Sequence, residues 1–292
     1  MSSVDTVAAP AIGITSTSRH RGVLARQLRS ELRLVSRRRR NLAMLVVLGA
    51  VPILIGTAVK VSTPRPGEGG PAFIGQLTNN GLFLAFTALT ICLPVFLPLA
   101  VAVVCGDAIA GEANTGTLRY LLTVPVSRTR LLLVKGLGAL AYMAAAIALV
   151  ALVGMLVGLA LFGSQGVTLL SGDTIPFASG LGRAAGVVIF VFTDLLGLAA
   201  IAFFLSTLTE VPIGAMAGTV ALVIAFAVLD SVPQLGSFRS ILLTHHWLDY
   251  GDLLRSDYSI TSLARNLVVP ISYTAIFASA AWARLTSADI TS

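Results

Sequence analysis

The sequence predicts an all-α integral membrane protein with six transmembrane helices. It also predicts an amphipathic helix in the interface before the first span and a short cytoplasmic helix between the second and third. Three observations lead there. Of 292 residues, 56% are hydrophobic and only 11% charged, with a mean hydropathy of +0.90; soluble domains carry roughly a quarter charged residues. Uncharged runs long enough to cross the hydrocarbon core recur along the chain. The basic residues gather on one side of those runs, as Lys and Arg do beside cytoplasmic membrane faces.

Residues 1–21 are expected to form a disordered cytoplasmic tail. Within Gly22–Val35, Leu24, Leu28, Leu32 and Val35 share one helical face, while Arg26, Arg29 and Arg33 point away from it. Such a basic amphipathic helix lies in the headgroup region and leads into the membrane at Arg37–Arg40. The spans follow at about 42–59, 80–106, 136–162, 184–209, 211–229 and 266–283. Together with the amphipathic helix they make one membrane domain over 22–284, with a cytoplasmic tail at 285–292. Pro52 falls inside the first span, and Pro94 and Pro98 fall in the second half of the second. Glu210 and Pro212 alone divide the fourth span from the fifth, because Pro opposes one continuous helix there. The first span exceeds the apolar core of a signal peptide, and no small-residue cleavage pattern follows it before Lys60.

Fourteen Lys and Arg residues fall on the side of the N-terminus, the 107–135 segment and the C-terminal tail, against six on the other. Both termini and that segment are therefore expected in the cytoplasm. The net charge of +7 then reads as topology and lipid-headgroup contact, with no nucleic-acid partner implied. Arginine outnumbers lysine eighteen to two, which with the abundant Ala, Gly and Val suggests a GC-rich bacterial source. Cys92 and Cys105 read as small apolar packing residues, too far apart along one helix to bridge.

The polar segment from Asp107 to Lys135 is the most informative stretch. Asp107 and Glu112 place two acids beside the headgroups. Gly116 can end a helix, and Thr117–Val124 offers a short helix with Leu118, Leu121 and Leu122 on one face. Pro125 ends it, and Ser127 is placed to cap the helix that carries Arg128, Arg130 and Lys135. Such a turn presents an apolar knob for a partner's groove. The residue types also allow a plain polar loop whose leucines dip into the bilayer.

The order Gly111, Glu112, Gly116, Thr117, Leu118, Leu121, Leu122, Pro125, Val126, Ser127, Arg128, Lys135 resembles the cytoplasmic segment of the ABC-2 type transporter permeases. The six spans, the amphipathic first helix and the long fifth-to-sixth loop are similar to that family over nearly the whole chain. The resemblance implies a permease that dimerises with itself or a second permease and is driven by cytosolic ATPase subunits. Thr117–Val124 would be its coupling helix, with Glu112, Gly116, Thr117, Leu118, Leu121, Leu122, Pro125 and Arg128 transmitting motion. Glu112 and Arg128 are expected to brace the turn. It further implies a multi-pass protein of the inner (plasma) membrane that exports drug-like, lipidic or other amphipathic molecules.

No nucleotide site is encoded, since a P-loop needs Lys followed by Ser or Thr, whereas Val61 follows Lys60 and Gly136 follows Lys135. ATP and magnesium would be bound by the partner, so no cofactor and no enzyme activity are expected of this chain. Asp194 is the one charge inside the fourth span, and intramembrane carboxylates point to function. It either lines a translocation path or serves as a protonated or hydrogen-bonded packing group. An ATP-independent secondary carrier using Asp194 is the alternative reading. In the external segment Ser231–Arg265, Trp247 and Tyr250 suit an interfacial belt. His245, His246, Asp249 and Asp252 offer metal-ligand types without a familiar ligand spacing.

Overall fold

The structure, a computed structural model, describes residues 17–62, 81–116, 128–163, 167–169, 171–257 and 259–287. The chain is mostly helical. Its helices are α1 (Thr17–Arg37), α2 (Arg39–Ser62), α3 (Phe83–Cys92), α4 (Phe96–Asp107), α5 (Ala110–Asn114) and α6 (Arg128–Phe162). After them come α7 (Phe177–Leu208), α8 (Pro212–Asp230), α9 (Ile260–Asn266) and α10 (Val268–Ser287). Among the described residues, five helical stretches are long and apolar enough to cross a membrane, or six if the bent α3–α4 pair is one span. With Val46, Leu54, Leu152, Leu156, Ile213, Ile224 and Ile276 exposed on their outer faces, the chain is a multi-pass membrane protein.

The helices overrun their apolar runs. α2 begins among the arginines at Arg39, and α6 starts at Arg128, eight residues before the expected span. Helical hydrogen bonding does not end where hydropathy does, and long basic side chains can reach the interface. The amphipathic helix likewise starts at Thr17 and not at Gly22, so part of the expected tail is helical. The division at Pro212 stands. Thr209 and Val211 are extended, and Pro212 opens α8 where its missing N–H costs nothing.

The second span is broken, not continuous. α3 and α4 meet at 58° across Leu93–Val95, so Cys92 and Cys105 lie on two helices, both buried and free. Pro94 supplies the cause, because it cannot donate the helical hydrogen bond expected of its position. The broken span sits at the centre of the bundle, between α6 on one side and α7 on the other. α3 approaches α6 closely because the facing residues are small. A Cβ on Gly154 would stand 2.8 Å from the Ala85 backbone, and Gly158 meets Gly81.

The bundle has two unlike ends. At one, the charged end, α1, the start of α2, the end of α4 and the start of α6 bring charged groups together. The other is capped by a two-stranded antiparallel hairpin (β1, Val167–Thr168; β2, Thr174–Ile175) and by 3-10 helical segments Pro233–Ile241 and Asp249–Leu254. The hairpin departs from a purely helical fold. Ser256 ties the hairpin turn to the end of the second 3-10 segment, its amide donating to Ser171 Oγ at 3.2 Å and its hydroxyl to Asp173, while Arg183 of α7 donates to the carbonyls of Leu253 at 2.7 Å and Arg255 at 2.5 Å.

Candidate functional site

The charged end is built around two buried ions. Asp107, 4% exposed, ends α4 and is ion-paired with both Arg38 and Arg40. Arg38 is the non-helical residue between α1 and α2, so this pairing fixes the corner where the chain turns into the membrane. Asn41 Nδ2 donates to the Val35 carbonyl at 2.8 Å and Tyr142 Oη to the Asn41 carbonyl at 2.9 Å, which ties the same corner to α6. Gly111 must lack a side chain, since a Cβ there would stand 2.6 Å from Asp107 Oδ1.

Lys135, 5% exposed, is the second ion. Its ammonium lies 2.6 Å from Glu112 of α5 and 3.0 Å from Glu31 of α1, and Arg38 stands 3.9 Å from Glu112. Glu31 reaches Lys135 across Gly138, where a Cβ would come within 2.7 Å of its Cγ. A water-sized polar cavity of about 10 Å³ lies between Glu31, Arg38, Asp107 and Lys135. One network therefore joins α1, α2, α4, α5 and α6.

The expected coupling residues divide into two groups. Glu112 sits on α5, and Gly116, at φ 70°, ends it in the left-handed region that favours glycine. Thr117, Leu118, Leu121, Leu122, Pro125 and Ser127 lie outside the described residues. Arg128 opens α6 and donates to the carbonyls of Leu285 at 3.1 Å and Thr286 at 3.2 Å, in the last turn of α10. Trp282 Nε1 adds a bond to Thr129 Oγ1 at 3.0 Å. On the other flank, Ser206 Oγ of α7 accepts from the amides of Ile109 (3.0 Å) and Ala110 (2.9 Å) at the start of α5. Glu112 and Arg128 thus hold the two flanks of the 117–127 segment through different partners.

Asp194 is 1% exposed near the middle of α7, and neither carboxylate oxygen has a hydrogen-bond partner among the described residues. The adjacent Thr193 gives its hydroxyl to the Ile189 carbonyl at 2.9 Å. One turn further along, a Cβ on Gly197 would touch Leu243 at 2.8 Å and Tyr273 at 3.1 Å, so the surroundings are tight. An apolar cavity of about 200 Å³ lies nearer the charged end, lined by Leu133, Leu137, Ala200, Phe203 and Ala278 of α6, α7 and α10.

At the capped end, His245 Nδ1 lies 2.6 Å from Asp230, which also takes Arg239 at 3.2 Å. His246 Nδ1 lies 2.7 Å from Asp249, which accepts from Asn266 at 2.7 Å. His245 and Asp249 are consequently pair members with other residues. No group of three His, Cys, Asp or Glu suited to a metal ion occurs among the described residues. Trp247 (4% exposed) and Tyr250 (2%) are core residues and not an interfacial belt, because the 3-10 segments fold them inward. Tyr250 Oη meets Thr90 Oγ1 of α3 at 2.5 Å. Burial pushes the Tyr250 hydroxyl above its ordinary range, and the Thr90 hydrogen bond opposes that rise.

A family model described as a protein of unknown function (DUF2705) matches residues 71–291. The chain belongs to this family. Among curated proteins, none matches it. The family match takes in Asp107, Glu112, Lys135 and Asp194, while Glu31, Arg38 and Arg40 precede it.

Those three preceding residues, with Tyr142 and Ser206, are the ones that sequence reasoning missed as members of the site. A signal for Glu31 was present: it is the only acid between Thr17 and Asn41, in a helix otherwise rich in arginine. A lone carboxylate on the apolar-facing side of a basic helix asks for a buried cation. Nothing local identified that cation as Lys135, 104 residues away.

Proposed function

We propose that this chain is the permease subunit of an ATP-driven ABC exporter of the ABC-2 type, working as a homo- or heterodimer with cytosolic ATPase subunits. In this reading the bent pair counts as one span, giving six, and the charged end faces the cytoplasm with both termini. The membrane is the inner (plasma) membrane of a bacterium. The observation that carries the reading is the anchoring on both sides of the 117–127 segment. Glu112 and the Ser206-bonded start of α5 hold one flank, and Arg128 on the α10 carbonyls holds the other.

A force applied to Thr117–Val124 has two rigid outlets. Through Glu112, Lys135 and Glu31 it reaches α1 and the α1–α2 corner. Through Arg128 it reaches the end of α10. Both outlets pair ions or charge-assisted hydrogen bonds in partly dry surroundings, where such contacts are stronger than in water. The partner ATPase would hold ATP and magnesium and supply hydrolysis; this chain's residues would receive and distribute the motion. The apolar cavity between α6, α7 and α10 suits the apolar part of an amphipathic cargo.

The test is export and ATPase stimulation by the complex reconstituted from this chain and its co-purified ATPase. Leu121→Asp and Glu112→Ala are expected to leave the complex assembled and uncouple hydrolysis from export. Normal export by both assembled variants sinks the reading. A second reading, an ATP-independent carrier, is favoured only by Asp194, which has no hydrogen-bond partner among the described residues. Gradient-driven transport by the chain without any ATPase selects it.

A further inference from the structure

Asp194 lies at a singular depth. Ser206 of α7 bonds the amides of Ile109 and Ala110, so α4 and α7 run side by side in the same direction toward the charged end. Twelve residues back from Ser206 is Asp194, and twelve back from Ile109 is Leu97; both steps are ~18 Å at the helical rise. The carboxylate is thus level with the first turn of α4, just beyond the break at Leu93–Val95. Broken helices at membrane depth mark sites where ions bind, since an interrupted helix frees backbone groups and ends a dipole there.

Among the described residues no cation pairs with Asp194. α3, α4 and α8 contain no Lys, Arg or His. Arg183 on α7 is engaged at the capped end, Lys135 on α6 is held by Glu31 and Glu112, and Arg284 stands in the last turn of α10. Asp107 of α4 is held by Arg38 and Arg40, Asp230 of α8 by Arg239 and His245, and Arg128 and Arg130 stand at the charged end of α6. Asp249, near enough to act on Asp194 electrostatically, is paired with His246. The packed elements also carry Cys92, Cys105, Tyr142, Tyr250, Tyr273 and Asp252. An isolated carboxylate in such a place is neutralised or paired. A calcium or magnesium ion would draw about six or more oxygens and a zinc ion about four nitrogen, sulfur or oxygen ligands, and no cluster of metal-ligating residues occurs among the described residues. A proton needs only one of the two free oxygens. The first-turn amides of α4 favour charge at this level, but their effect is smaller than the desolvation of a carboxylate.

We infer that Asp194 is a proton-binding site near the middle of the spanning helix α7, beside the broken span, occupied at rest. The site stands whichever source of energy moves the cargo. Infrared spectroscopy of the full chain in lipid bilayers at neutral pH, with no ATPase present, tests it apart from the exporter reading. The expected result is a carbonyl stretch of a protonated carboxyl in apolar surroundings that moves in deuterated water. That band is lost in Asp194→Asn and displaced in Asp194→Glu. Absence of the band from the wild-type chain, or its persistence in Asp194→Asn, overturns the assignment. If Asp194→Asn does not insert, the Asp194→Glu spectrum decides: a displaced band supports the site and an undisplaced one removes it.

Discussion

Asp107 and Asp194 are two carboxylates of nearly equal burial, 4% and 1% exposed, on neighbouring helices that run in the same direction. Asp107 has gathered two arginines and a glycine that makes room for it, while Asp194 has no hydrogen-bond partner among the described residues. The difference teaches what each is for. Asp107 is part of a joint between helices, where charge is retained and satisfied. Asp194 is an isolated group whose charge is the thing that changes. Depth explains the contrast: Asp107 lies where arginines from the interface reach it, and Asp194 lies near the middle of a spanning helix.

Substitutions at the two places should separate them, and the largest effect belongs to the joint. Lys135→Ala leaves Glu31 and Glu112 facing each other in a half-dry pocket, and loss of one member of a buried ion set costs about 3–5 kcal/mol. Thermal unfolding in lipid should show it, and an unchanged midpoint would mean that the network is ornamental. Gly111→Ala should come next, at about 1–3 kcal/mol, because the new methyl must displace the paired Asp107 carboxylate. An effect as small as that of an exposed substitution would show that the pairing around Asp107 is loose.

Tyr250→Phe sharpens the comparison from the capped end. It removes only the hydroxyl contact to Thr90 and should lower stability by about 0.5–1.5 kcal/mol in the same assay. Smallest of all, Asp194→Asn should change stability by less than about 1 kcal/mol, because its carboxylate makes no hydrogen bond among the described residues. A large loss at Asp194 would mean that it does have a structural partner, and the contrast with Asp107 would fail.

The prolines show how far the sequence could be read. Pro52 sits inside an unbroken α2, Pro94 breaks the second span, Pro98 falls in the first turn of α4, and Pro212 opens α8. Pro212 was readable because Glu210 accompanies it and marks a turn. Pro94 and Pro52 were not distinguishable locally, since neighbouring helices decide whether freed carbonyls are satisfied within a continuous helix. In the candidate site, Glu112, Gly116 and Arg128 stood out from their spacing, and Gly116 does end a helix. Trp247 and Tyr250 were misplaced on the interface because their composition suits a belt as well as a core. Their burial depends on how the 3-10 segments turn inward.

By itself the sequence determined the membrane character, the basic amphipathic first helix, the split between α7 and α8, and the isolation of one acid within an apolar run. Hydropathy and periodicity carry these because each is a property of consecutive residues. Only the tertiary structure decided which charges found partners. Glu31 meets Lys135, and Tyr142 meets Asn41, across more than a hundred residues of chain, through the packing of α1, α2 and α6. That packing rests on close approach at small residues such as Gly138, which faces Glu31 of α1, and Gly56 of α2, which faces Val157 and Leu161 of α6; their consequence appears only when the facing helix is in place.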